Sequence, residues 1–142
     1  MLHPDFPVID GRYEMTETWS IDLPEQFNRR FEDTSLVVWR PGLTMWIVAW
    51  GNNEEETSEA RLAQLRACIS ELAFDLDESH DHGVLYFSYR LDEQSDDERV
   101  PALYGFAIGE SGHVQMAIYF DKESDAVTAT AIFKSLRESL AR

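Results

Sequence analysis

The stretch SLVVWRPGLTMWIVAWG, Ser35 to Gly51, decides how this chain is read. Two runs rich in β-branched and aromatic residues, Ser35 to Arg40 and Leu43 to Gly51, flank the dipeptide Pro41-Gly42. Proline presets φ for the first corner of a reversal, and glycine accepts the positive φ of the second. The pattern predicts a hairpin. A two-residue turn pairs Arg40 with Leu43 and Val38 with Met45. One face then carries Leu36, Val38, Met45, Ile47 and Ala49. The other carries Val37, Trp39, Trp46, Val48 and Trp50. A slip of one residue would exchange the two sets.

Downstream, Pro101 to Ile108 and His113 to Phe120 flank Gly109-Glu110-Ser111-Gly112 and predict a second hairpin. Setting Gly109 opposite Gly112 gathers Leu103, Gly105, Ala107, Val114, Met116 and Ile118 on one face. Tyr104, Phe106, His113, Gln115, Ala117 and Tyr119 fall on the other. Both hairpins thus have an aliphatic or small face and an aromatic, partly polar face.

Upstream, Tyr13, Met15, Trp19, Ile21 and Leu23 alternate with polar residues, the pattern of one half-exposed strand ended by Pro24. Phe27 to Asp33 fits either a twisted strand or a loop. Residues 1–11, with Pro4, Pro7 and Gly11, read as an extended leader. Leu62, Leu65, Ile69 and Leu72 recur at steps of three and four, predicting a helix from about Thr57 to Ala73 capped by Asn53 or Thr57. Asp75 to Gly83 reads as an acidic turn and Asp92 to Arg99 as a solvated loop, with an alternating strand, Val84 to Leu91, between them. Ser124 would cap a last helix that buries Val127, Ala131, Ile132, Leu136 and Leu140.

Residues 13–73 and 84–140 therefore form two halves, each strands then helix. The expected architecture is α+β: one domain, an antiparallel sheet of about six strands, and two helices of about five turns each. Small and aliphatic surfaces let helices approach, so both helices are expected on the aliphatic face. The reverse would show Trp39, Trp46, Trp50, Tyr86, Tyr104, Phe106 and Tyr119, edged by Arg90, His113 and Gln115. Exposed aromatic patches of that size mark interaction sites. Two alternatives stand beside that reading. The leader's Leu2, Phe6, Val8 and Ile9 would cover the patch, or the tryptophan face would itself be the core.

The 142 residues carry 27 acids against 12 Lys and Arg, a net charge of −15. Such a field repels phosphate backbones and anionic membranes, and steers toward basic partners. The longest nearly apolar run, Leu43 to Trp50, is far too short to span a bilayer as a helix. Cys68 is the single cysteine, so no intrachain disulfide forms, and a cytoplasmic location without a secretory signal is expected.

Catalytic constellations are scarce. Asp75, Asp77, Glu78, His80, Asp81 and His82 contain metal-ligating types, and two histidines two apart on a strand share a side. A solvated acidic loop explains the same residues. Cys68 falls inside the apolar helix and reads as a packed residue. There is no nucleophile-elbow motif, and the glycines at 105, 109 and 112 lie in a hairpin, where they cannot cradle a phosphate. No cofactor and no enzymatic activity are expected.

The segments WSIDLP (Trp19 to Pro24) and FEDTSLVVWR (Phe31 to Arg40), with the strands-helix-strands-helix order, resemble PsbP-like α/β/α sandwiches. Among these the chain is most similar to the Eag-type chaperones of bacterial type VI secretion. That resemblance implies a non-enzymatic, often dimeric chaperone that holds an apolar segment of a secreted effector on its sheet. The partner-binding residues expected from the face assignment are Trp39, Trp46, Trp50, Tyr104, Phe106 and Tyr119. An acidic immunity protein that neutralises a toxin, or a metal- or small-ligand-binding protein using the His80/His82 loop, are the alternatives.

Overall fold

A computed structural model describes residues 2–52, 55–92 and 100–139. Its elements are β1 (Val8–Glu14), β2 (Trp19–Glu32), β3 (Ser35–Arg40), β4 (Leu43–Gly51), α1 (Ser58–Ala67), β5 (Phe74–Asp81), β6 (Val84–Leu91), β7 (Ala102–Ile108), β8 (Gly112–Phe120), α2 (Ala126–Lys134) and β9 (Arg137–Glu138). The fold is α+β, and every pairing in the sheet is antiparallel. Strand order is β1-β2-β3-β4-β8-β7-β6-β5, with β9 pairing β2, so the sheet has nine strands rather than about six. The extra strands come from segments read as leader (β1), acidic turn (β5) and the end of the last helix (β9), which stops at Lys134. No helix of the described residues is long and apolar enough to cross a membrane.

Both hairpin registers are as the turn chemistry predicts. Arg40 faces Leu43 and Val38 faces Met45, with Gly42 at φ 86°. Leu103 faces Ile118, Gly105 faces Met116 and Ala107 faces Val114. The two hairpins join through β4 and β8, so each half contributes a four-stranded meander and then a helix.

The amino-terminal region corrects the single-strand reading. Residues 8–14 are a strand, and Tyr13 pairs with Ile21 across a tight reversal. The Thr16 hydroxyl accepts from the backbone N–H groups of Thr18 and Trp19, closing that reversal. Pro24 does not end the strand. Pro24 to Gln26 bulge out between the Leu23 and Phe27 pairings, where a residue without an N–H disrupts nothing, and β2 continues to Glu32.

The helices depart further from expectation. α1 has 10 residues and α2 has 9, under three turns each. Thr57 caps α1 by accepting from the Ala60 N–H. Ser124 instead lies in a single 3-10 turn, Glu123–Asp125, and makes no cap. The helices also lie on opposite faces. α2 packs on the aliphatic face, burying Ala129, Ile132 and Phe133 against Leu23, Val38, Met45, Met116 and Ile118. A Cβ at Gly105 would sit 2.5 Å from the Phe133 ring, so the missing side chain is what admits that ring. Leu136 is buried as expected, but Val127 is 78 % exposed and Ala131 faces out, because Phe133 sets the helix rotation. Leu140 lies outside the described residues.

α1 and the turn after it cover part of the aromatic face: Leu62, Leu65 and Ile69 pack on Leu85, Phe87, Tyr89, Phe106 and Ile108. The aliphatic face is occupied at its centre by α2. Its flank is closed by β9, whose Glu138 pairs with Trp19 and accepts from the Glu110 and Ser111 N–H groups. Tyr86 also belongs to the aliphatic side, edge-on to Phe133, with its hydroxyl on the Leu136 carbonyl. Arg90 is there too, bidentate on Glu123 at 2.7 and 2.9 Å.

Candidate functional site

Alternation along β3, β4 and β8 sends Val37, Trp39, Trp46, Val48, Gln115, Ala117 and Tyr119 to the face that α2 does not touch. α1 lies over the β6–β7 side of this face and meets β8 at His113. Phe106 therefore lies beneath Leu62 at 6 % exposure and is not presented to solvent. Tyr104 sits at the margin, stacked on Tyr89, its hydroxyl 3.1 Å from that of Tyr119. Beyond it the floor drops to Ala117, which pairs with both Tyr104 and Trp46. The small residue between two aromatic walls makes a shallow trough along β8. Trp39, Trp46, Val48, Ala117 and Tyr119 are all half-buried, and no helix of the described residues covers them.

One border of this region is cationic. The Arg30 guanidinium lies 4.9 Å from the Trp39 ring centre and 5.7 Å from the Trp46 ring centre, and bonds Glu32. Arg30 thus bridges two indoles, an arrangement worth about 0.5–1 kcal/mol at an exposed site. The N-terminal segment lies along the same border. The fully buried Asn28 accepts from the His3 N–H and donates to the His3 and Phe6 carbonyls, and the Phe6 ring meets Trp39 edge-on at 5.1 Å. Phe6 covers the Trp39 corner alone. Ile9 packs on the opposite face and Val8 is 49 % exposed.

The far end is built differently. Trp50 is 52 % exposed and stacks on His113, whose ring lies beneath α1. Arg61 donates to His113 Nδ1 at 2.8 Å and to Asn52 Oδ1 at 2.8 Å, with Glu56 at 3.7 Å. Burial, then the neighbouring Arg61 charge, pushes the His113 pKa down to about 4, so its neutral imidazole is the acceptor. This cluster fastens the start of α1 to β4 and β8.

The expected residues thus divide. Trp39, Trp46 and Tyr119 share one open surface with Tyr104 at its margin, Trp50 stands apart at the end, and Phe106 is covered. Val48 and Ala117 complete the surface; as members of the same alternating set they were legible in the hairpins. Asn28 and Arg30 were not, because they fall in a segment whose strand character was undecided.

The acidic stretch is an edge strand, β5, with Asp77 on Lys134, Glu78 on Arg66 and Asp81 near Arg137. Alternation ends at Asp81, and His82 adopts φ 53° with its ring on Asp81, so His80 and His82 do not share a strand face. Among the described residues no group of three or more metal-ligating side chains converges. Cys68 is exposed at the end of α1 rather than packed, because the helix stops there. Residues 93–99 of the expected solvated loop, and Asn53 and Glu54, lie outside the described residues. A second opening of about 220 Å³ lies on the aliphatic face beyond the reach of α2, between Met15, Phe31, Leu36, Ile47 and Ala49.

Comparison with protein-family models, curated proteins and solved structures finds no match for this chain.

Proposed function

We propose that this protein is a non-catalytic binding module that holds an apolar segment of another protein on the uncovered half of its aromatic sheet face. The observation that supports this most is the continuous surface of Trp39, Trp46, Val48, Ala117 and Tyr119, half-buried beside a face that α1 covers elsewhere. Large rigid aromatics around a small-residue floor suit an apolar side chain entering from a partner. In the finer reading the module is a secretion-associated chaperone resembling the Eag type, and the held segment belongs to an effector. The net charge of −15 favours a second reading, an immunity protein that covers a basic toxin surface.

The test is capture from an extract of the native host, comparing the wild-type protein with Trp46→Ala at equal fold content by circular dichroism. A protein captured by the wild type and lost with Trp46→Ala supports the face as the contact. Equal capture by both removes it. Salt then separates the two readings: a charge-led immunity contact weakens steeply between 50 and 500 mM salt, about tenfold or more, whereas an aromatic-led contact holds.

A further inference from the structure

We infer that residues 3–7 occupy a peptide subsite on the aromatic face, and that the partner segment fills it by displacing them with the same chemistry: an extended backbone and one aromatic side chain. The inference rests on the docking reading of that face and names what docks at its Trp39 end.

Asn28 is the reason. It is fully buried in β2 opposite Trp39, where an apolar residue would serve a purely structural strand. Its side-chain amide directs both its oxygen and its nitrogen to main-chain groups of the N-terminal segment. It accepts from the His3 N–H at 2.6 Å and donates to the carbonyls of His3, Phe6 and Pro7 at 3.0, 3.2 and 3.4 Å. An amide that contacts only backbone reads a chain path and not a residue sequence, as in peptide grooves where main-chain bonds supply affinity. Side-chain selection falls to Trp39, which takes the Phe6 ring edge-on at 5.1 Å while His3 caps that ring at 5.0 Å.

The segment is weakly held otherwise. Pro4 and Pro7 carry no N–H, the Asp5 N–H turns inward to His3 Nδ1, and His3, Pro4, Asp5 and Pro7 are exposed. A further backbone tie at this border runs from the Arg29 N–H to the Pro7 carbonyl, at 3.1 Å. Few buried apolar contacts and few backbone bonds place a segment at the low-stability end of a fold. A strap of this kind leaves Asn28 and Trp39 matched in the free protein and still available to a competitor.

The test uses the full chain and needs no natural partner. Amide hydrogen exchange at His3 and Arg29 is measured in the wild type and in Phe6→Ala. A synthetic peptide of residues 2–9 is then titrated against both, alongside the same peptide carrying Phe6→Ala. Expected is exchange several-fold to about tenfold faster in the variant, the scale of one aromatic pair. The wild-type peptide should bind the Phe6→Ala chain, and the wild-type chain several-fold more weakly because there it must displace residues 3–7, while the altered peptide binds neither. Unchanged exchange, or no peptide binding to the Phe6→Ala chain, overturns the subsite. That failure leaves the Trp46 capture experiment untouched, since residues 3–7 are held through Asn28 and Trp39.

Discussion

The two faces of this sheet are built from the same strands by the same alternation, yet they end in different states. The aliphatic face is closed over its centre: α2 lies on it, Phe133 fills the space over Gly105, and β9 seals one flank, leaving open the end beside Met15, Phe31 and Ala49. The aromatic face is closed by α1 over β6 and β7 and at the His113 end of β8. A helix of under three turns buries about two strands' width of a sheet, so the side facing β3, β4 and β8 stays half-open. What separates the faces is less their hydrophobicity than whether a small residue lets a large one from the opposing helix interlock. Where Gly105 meets Phe133 the surfaces mesh; where Trp46 and Tyr104 stand on either side of Ala117, no side chain of a helix among the described residues enters.

The largest effect should come from emptying the closed face. Phe133→Ala removes a fully buried ring that contacts both Tyr86 and the Gly105 backbone. The expected loss is about 3–5 kcal/mol of unfolding free energy, measured by urea denaturation. A loss below about 1 kcal/mol would mean that α2 does not lock the sheet, and the contrast between the faces would fall.

The join between α1 and the sheet should fail with acid. The His113 pKa is lowered to about 4 in the folded protein, against 6.5 when unfolded. The unfolded chain therefore binds the proton first, and stability falls with pH inside that window. Stability from this group is fully present above pH 6.5 and is lost as pH drops toward 4, by up to about 3 kcal/mol. Carboxylates titrate in the same range, so the quantity to follow is the difference between wild type and His113→Gln. That difference should shrink steadily between pH 7 and pH 4, in urea melts at one-unit steps. A constant difference would show that the fold does not hold His113 neutral beneath α1.

Much of this contrast was written in the chain. Pro41-Gly42 and Gly109 to Gly112 fix turn lengths, turn length fixes register, and register sorts every side chain of both hairpins to its face. Gly105 and Ala107 marked the place where a helix approaches. The side chosen by each helix was not legible, since Leu62-Leu65-Ile69 is an apolar stripe that either face would accept. The outcome depended on β9 closing the aliphatic flank, and a two-residue strand leaves no pattern. β5 was missed because an edge strand carries charge on both sides, which erases the period of two. The hairpin of β1 and β2 passed for one strand because the reversal at Thr16 keeps Tyr13 and Ile21 in the same phase. Trp39, Trp46 and Tyr119 were placed by alternation alone. Asn28 and Arg30, polar residues serving an aromatic surface, have no periodic signature.

The smallest expected effect is the most discriminating. Trp46 is half-buried, and its indole meets Arg30 and the walls of the trough rather than a helix. Removing it in Trp46→Ala takes away roughly half of a full burial term, about 1–1.5 kcal/mol, together with part of one cation–π contact. The variant should therefore melt within a few degrees of the wild type, while Phe133→Ala does not. The contrast is physical: Phe133 empties into a sealed volume that cannot refill, whereas the space left by Trp46 opens to water at once and leaves no cavity. If the two substitutions cost the same, the indole is a core side chain and the open half of the aromatic face is part of the packed interior. If Trp46→Ala is mild and Phe133→Ala severe, the tryptophan is retained at a cost in exposed apolar surface that folding does not require, and binding is what remains to account for it.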